Sequence, residues 1–219
     1  MDGREDAFRE MCADRAVAVL RSGGIALPAD YARALVDVGI HCVELTFTDS
    51  AVLEGIAAAA EVPGVVVGAG TVPDAAAARS AIDAGARFLV TPGLNPGVAN
   101  VARQRGVPFL EGAFTPTEVA AALDHGAAAV KIFPASTAGP GHIRALLGPF
   151  GGAALIPSGG IGPANAGEYL AAGATAVSAS VATAAALKAG DVEAVRDGGA
   201  ALAAAIRSWV EGGVGGGAR

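Results

Sequence analysis

Residues 81–93, "AIDAGARFLVTPG", hold the phrase that decides the architecture. A helical stretch of small residues ends at Gly85, an apolar run through Phe88, Leu89 and Val90 follows, and Thr91-Pro92-Gly93 stops it. Glycine just past a last helical turn is the usual left-handed stop signal. A short apolar run without polar alternation fits a strand covered on both faces.

The phrase recurs as "ALVDVGIHCVELT" (34–46), "AAEVPGVVVGAGT" (59–71), "ARQRGVPFLEGAF" (102–114), "LDHGAAAVKIFP" (123–134) and "LAAGATAVSAS" (170–180). Adding "RAVAVLR" (15–21) and "AALIPSGG" (153–160) brings the strand count to eight. Eight βα units in 219 residues predict an α/β chain folded as a single (β/α)8 TIM barrel, an architecture that typically takes roughly 250 residues. A doubly wound open sheet is the competing arrangement, but no strand opens into the GxGxxG dinucleotide fingerprint. Residues 5–13 predict an extra N-terminal helix and residues 191–210 a closing one. No linker composition interrupts 1–210, so this span reads as one domain, followed by a flexible Gly-rich tail at 211–219, "EGGVGGGAR".

Composition narrows the function classes. With 53% apolar and 16% charged residues the chain is globular, and a net charge of −6 supplies no basic field for nucleic acid or an anionic membrane. The charged start "MDGREDAFREMCADR" is unlike a secretory signal, and no apolar run reaches the roughly 18 residues of a membrane span. A cytoplasmic protein is therefore expected. Cys12 and Cys42 lack CxxC spacing and read as buried free thiols. His41, His125 and His142 fall at element ends without metal-ligand spacing and are expected at the surface, so no metal is expected.

The polar residues gather at the strand ends, where a barrel of this kind carries its chemistry: "ELTFTDS", "GAGTV", "VTPGLNP", "GAFTPTE", "KIFPAS" and "PSGG". In "CVELTFT" a period of two puts Cys42, Glu44, Thr46 and Thr48 on one face and Val43, Leu45 and Phe47 on the other. The apolar face should meet helices, which turns Glu44 into the barrel. The same parity in "AAAVKIF" places Lys131 with Ala129 and Phe133, again inward. Only Lys131 and Lys188 are lysine in a chain whose other basic residues are arginine. Arginine stays protonated and cannot form an imine, whereas a buried lysine can act as a free amine. A catalytic amine and a buried structural ion pair with Glu44 are the two readings of Lys131. "VGAGTV" and "PSGG" read either as tight turns or as glycine loops whose N–H groups approach an anion. "TPTE" (115–118) reads as a helix N-terminus with a capping box.

Taken in order, "AVLR", "VELTFT", "VGAGTV", "VTPGLNP", "GAFTPTE", "VKIFPA", "GPF" and "PSGGI.PAN...YLAAGA" resemble the class I aldolases that cleave 2-keto-3-deoxy-6-phosphogluconate (KDPG), together with their 4-hydroxy-2-oxoglutarate (KHG) aldolase relatives. The resemblance covers about residues 15–183. It implies a homotrimer of single barrels acting on a small keto acid without metal or organic cofactor. By position, Lys131 resembles the Schiff-base lysine and Glu44 the acid/base. Gly70 and Thr71 would hold the pyruvoyl carboxylate, Pro92 and Phe133 would wall in the carbon skeleton, and Gly159 and Gly160 would bind the distal phosphate. Arg21 would sit near bound substrate. Thr48 stands where some members carry arginine. Ser180 and Val181 stand where the family usually shows a glycine-serine pair for phosphate, which leaves open KHG or 2-keto-3-deoxy-6-phosphogalactonate as the main substrate. A sugar-phosphate isomerase or epimerase and a non-catalytic metabolite-binding barrel are the readings that dispense with an imine.

Overall fold

The computed structural model describes residues 3–48 and 51–213. Helix α1 (Gly3–Asp14) precedes eight strands: β1 (Ala16–Leu20), β2 (Cys42–Thr46), β3 (Val66–Gly70), β4 (Phe88–Val90), β5 (Phe109–Ala113), β6 (Ala129–Ile132), β7 (Leu155–Pro157) and β8 (Val177–Ser180). Between them run α2 (Pro28–Val36), α3 (Val52–Ala60), α4 (Ala75–Asp83), α5 (Pro96–Arg105), α6 (Pro116–Asp124), α7 (Pro140–Leu147) and α8 (Ala166–Ala171). After β8 come α9 (Ala184–Ala189) and α10 (Val192–Gly213). All pairings are parallel, in the order β7-β6-β5-β4-β3-β2-β1-β8. The two ends approach through a Ser158–Ser178 bridge and a hydrogen bond from the Thr175 N–H to the Leu155 carbonyl at 2.9 Å. The result is the (β/α)8 barrel that the repeated phrase predicts.

The stop signals act as expected. In each recurring phrase the glycine, Gly39, Gly64, Gly85, Gly106, Gly126 or Gly173, sits at φ between +64° and +109°, a region costly for residues with a Cβ. At α6, Thr115 and Glu118 form the reciprocal capping box.

Alternation along the strands divides the core in two. Val43, Leu45, Val130 and Ile132 pack outward among the helices. Val17, Cys42, Val66, Phe88, Leu110, Ala129, Ile156 and Ala176 fill the barrel's lower half, where Ala7 and Met11 of α1 pack among them. The extra helix therefore plugs the end away from the strand C-termini. Gly68 makes room for the plug layer: a Cβ there would overlap the Phe88 ring.

Several expectations need correction. The closing helix continues through 211–213, where a flexible tail is expected, one turn past Trp209, whose ring centroid lies 5.1 Å from the Arg15 guanidinium. Residues 214–219 lie outside the described residues. The three histidines are half-buried at junctions rather than on open surface. Asp14 at the end of α1 accepts from the His41 backbone N–H at 2.6 Å and pairs with its Nδ1 at 2.9 Å. His125 pairs with Glu111, and His142 Nε2 donates to the Phe114 carbonyl at 2.7 Å. Each histidine lies where a helix end meets a strand, and such junctions hold carbonyls and carboxylates in need of donors. Cys42 is buried, whereas Cys12 is only half-buried.

Burial pushes the Cys42 thiol far above the usual range, and the neighbouring Asp14 and Glu10 charges add to the effect. Burial also raises Cys12, which Arg15 partly offsets. At pH 8 a disulfide reagent should leave Cys42 unmodified in the native protein and label both thiols in denaturant; rapid native labelling of Cys42 would contradict the plugged base. Gly68→Ala should destabilise the barrel by about 1–3 kcal/mol through overpacking against Phe88, read as a lower midpoint in urea unfolding.

Candidate active site

Glu44 on β2 and Lys131 on β6 stand on opposite sides of the ring, with three strands between them in either direction. Their side chains nonetheless meet in the lumen. Lys131 Nζ lies 3.7 Å from Glu44 Oε1, and the two side chains are 4% and 1% exposed. Glycines stand beside both residues. Gly68 is the register partner of Glu44, and Gly112 the partner of Lys131. At Gly70 the carboxylate lies against a bare Cα, where any Cβ would overlap it.

The hydrogen bonding bears on the two readings of the pair. Among the described residues Glu44 Oε1 has no hydrogen-bond partner, and neither does the hydroxyl of Thr46, which is fully buried on the same strand. A buried ion pair kept for structure needs its remaining lone pairs satisfied, because an orphaned acceptor costs about 1–3 kcal/mol. Here one polar oxygen faces a loosely spaced amine, and a second hydroxyl waits unpaired two residues on. This arrangement suits a site that completes its hydrogen bonds with a substrate.

Around this pair the strand ends supply distinct walls. The Phe133 ring lies 5.8 Å from Lys131 Nζ, measured to its centroid, and 38% of the residue is exposed at the mouth. The following Phe133–Pro134 peptide is cis. Thr71 takes φ +56° just past β3, and its hydroxyl accepts from Arg21 Nη2 at 3.3 Å. Thr71 and Pro92 line one cavity of about 310 Å³.

A second cavity of about 430 Å³ is lined by Arg21, Phe133, Ser158, Gly159, Gly160, Ser178 and Ser180. Gly159 and Gly160 are successive left-handed residues at φ +89° and +76°, and Cβ atoms on them would press on Phe133 and Ser136. Ser158 Oγ donates to Ser178 Oγ at 3.3 Å across the β7–β8 seam. Two left-handed glycines, three serines and one arginine thus line a pocket sized for a small anionic group.

Thr48 is the exception among the expected residues. Its hydroxyl donates a short hydrogen bond to the Ser22 carbonyl, and it lines a separate cavity of about 290 Å³ beside Leu45 and Val52. Strand β2 ends at Thr46, so the alternation that would have carried Thr48 inward stops before reaching it. Thr46 shares with Glu44 the face that parity turns inward, but the sequence assigns no role to it, nor to Ser158 and Ser178. The signal for all three was present, since period-two parity from Glu44, Ile156 and Ala176 points each of them inward.

A family model described as KDPG and KHG aldolase matches residues 9–197. Over 142 residues, 64% of this chain and 68% of the relative, the sequence is 42% identical to a 2-dehydro-3-deoxy-phosphogluconate aldolase of Treponema pallidum. It is 37% identical to the KHG/KDPG aldolase of Escherichia coli over 142 residues, 64% of this chain and 67% of that one. The fold is similar to the crystal structure of KDPG aldolase from Legionella pneumophila with pyruvate captured as a covalent carbinolamine. The TM-score is 0.82 at 25% identity, covering 90% of this chain and 97% of that one.

Gly70→Ala tests the geometry without altering a chemical group. The methyl should displace the Glu44 carboxylate and lower turnover at least about a hundredfold, the scale of a lost general acid/base, while circular dichroism stays native.

Proposed function

Because the chain belongs to the KDPG and KHG aldolase family, we propose that it is a class I aldolase that cleaves KDPG to pyruvate and glyceraldehyde 3-phosphate through a Schiff base on Lys131. The observation that carries this reading is a buried amine 3.7 Å from a carboxylate oxygen without a hydrogen bond. In the resting pair, passing one proton from Nζ toward Glu44 or water frees the nitrogen lone pair for attack on the C2 ketone. The displaced proton returns to the carbinolamine hydroxyl, which leaves as water to give a protonated imine, an electron sink. Glu44, directly or through a water, removes the C4 hydroxyl proton. The C3–C4 bond then breaks, the aldehyde leaves, and the electron pair reaches the iminium nitrogen as an enamine. Protonation at C3 and hydrolysis release pyruvate and restore the amine.

The same proposal extends to the rest of the substrate. The Gly70 N–H and Thr71 hydroxyl hold the pyruvoyl carboxylate, with Arg21 behind Thr71. Pro92 and Phe133 enclose the carbon skeleton. Gly159, Gly160 and Ser180 receive the distal phosphate, with Arg21 lining the same cavity. No metal or organic cofactor enters this sequence of steps. A homotrimer in the cytoplasm belongs to the same reading. In the described residues no helix is long and apolar enough to cross a membrane.

One observation favours a second substrate. Thr48 is tied to Ser22, and among the described residues Arg21 is the one cation lining the distal cavity, so the shorter, unphosphorylated KHG is the alternative. The phosphogalactonate analogue differs from KDPG only at C4.

Borohydride reduction with pyruvate present should add a pyruvate-derived mass to the peptide containing Lys131. Lys131→Arg should abolish both adduct and turnover, and Glu44→Gln should lower turnover by about 10²–10⁴ while leaving the adduct. Turnover retained in Lys131→Arg would instead favour isomerase chemistry. Pyruvate release from KDPG, its galactonate analogue and KHG ranks the substrates, and activity on KHG alone would remove the phosphate assignment.

A further inference from the structure

On the outer face of β5, where Phe109 and Ala113 are apolar and buried, Glu111 places a side chain with 0% exposure. A carboxylate in that position contributes nothing to packing that an apolar residue would not do better, and its burial is costly unless it is hydrogen-bonded. Its partners are specific. Oε1 accepts from the Asn95 backbone N–H at 2.5 Å, and Oε2 lies 2.7 Å from His125 Nδ1. A carboxylate only accepts, so Nδ1 carries the proton.

Asn95 is the N-cap of α5 and closes the loop that follows β4. Its side chain accepts from the Val98 N–H at 3.2 Å and donates to the Pro73 carbonyl at 2.9 Å, two residues beyond Thr71. The next residue on β5 acts on the same loop from the lumen side. The Gly112 N–H donates to Thr91 Oγ1 at 3.4 Å, and its bare Cα lies against the Pro92 carbonyl, where a Cβ would overlap it. Consecutive residues of one strand thus hold the 91–95 loop from both faces. Through Asn95, the hold extends to the segment that carries Thr71.

We propose that Glu111 and His125 are positioning residues for the keto-acid pocket: their charge-assisted hydrogen bonds set the Asn95 turn, and through it the placement of Pro92 and Thr71. This rests on the aldolase reading, in which those two residues contact the pyruvoyl moiety. Neither Glu111 nor His125 touches the reacting atoms, so the pair acts on keto-acid affinity and not on the amine.

The test is the pyruvate concentration that half-saturates borohydride trapping on Lys131, followed by intact mass in protein shown to be folded. Glu111→Leu and His125→Phe should raise it fivefold or more, with the trapping rate at saturation within twofold of wild type. Glu111→Gln and His125→Asn, which keep an acceptor for Asn95 and a donor for the carboxylate, should remain within twofold on both measures. Should Glu111→Leu fail to fold, His125→Phe at its half-exposed position carries the comparison. Unshifted half-saturation in the folded apolar variants overturns the proposal, as does a shift equally large in the conservative ones. Failure of wild type to be trapped at all overturns the aldolase reading and this role with it, whereas trapping without a shift overturns this role alone.

Discussion

A lysine and a glutamate from strands on opposite sides of an eight-stranded barrel can meet only where the neighbouring strands leave the lumen open. Here Gly70 supplies that opening and lets the Glu44 carboxylate rest directly on the backbone, while Gly68 and Gly112 give up their space to the Phe88 ring and the Pro92 backbone. Beneath this level the same lumen is closed by Phe88 and its neighbours, with α1 as the plug. The barrel therefore changes over a single layer from packed hydrocarbon to a buried pair of ionisable groups. Such a boundary keeps water out from below and makes each polar contact above it stronger.

Buried polar groups in this protein fall into two kinds. Glu111, outside the barrel wall, has both oxygens engaged and links three elements. Glu44 and Thr46, inside it, each leave a fully buried oxygen without a hydrogen bond among the described residues. The first kind holds geometry, because a satisfied network has one low-energy arrangement. The second retains hydrogen-bonding capacity for another molecule. The same chemistry, a carboxylate shielded from water, serves opposite purposes according to whether its lone pairs are filled.

The distal cavity gathers hydroxyls from both sides of the β7–β8 seam. Ser178 and Ser180 both line it, with Ser158, Gly159 and Gly160 opposite. Strand alternation explains this, since two residues two apart share a face. Arg21 joins the cavity from β1, and its contact with Thr71 ties that end of the site to the keto-acid end.

Much of the fold and the centre of the site were legible along the chain. Glycine stops, apolar runs and period-two parity are properties of neighbouring residues, so they placed the strands, turned Glu44 and Lys131 inward and located the α6 cap. Parity misled only where a strand ended early, as at Thr48, whose hydroxyl went to Ser22 instead. The roles of His125, Glu111 and Asn95 were invisible for a different reason. Their partners come from separate βα units, and no local pattern encodes which helix end will face which strand. Sequence by itself determined the barrel, the direction of each strand residue and the presence of one inward lysine and one inward glutamate. Tertiary structure alone decided that these two lie 3.7 Å apart and that the loop beside them is held from outside the wall, because closure of the ring is what brings residues distant in sequence into contact.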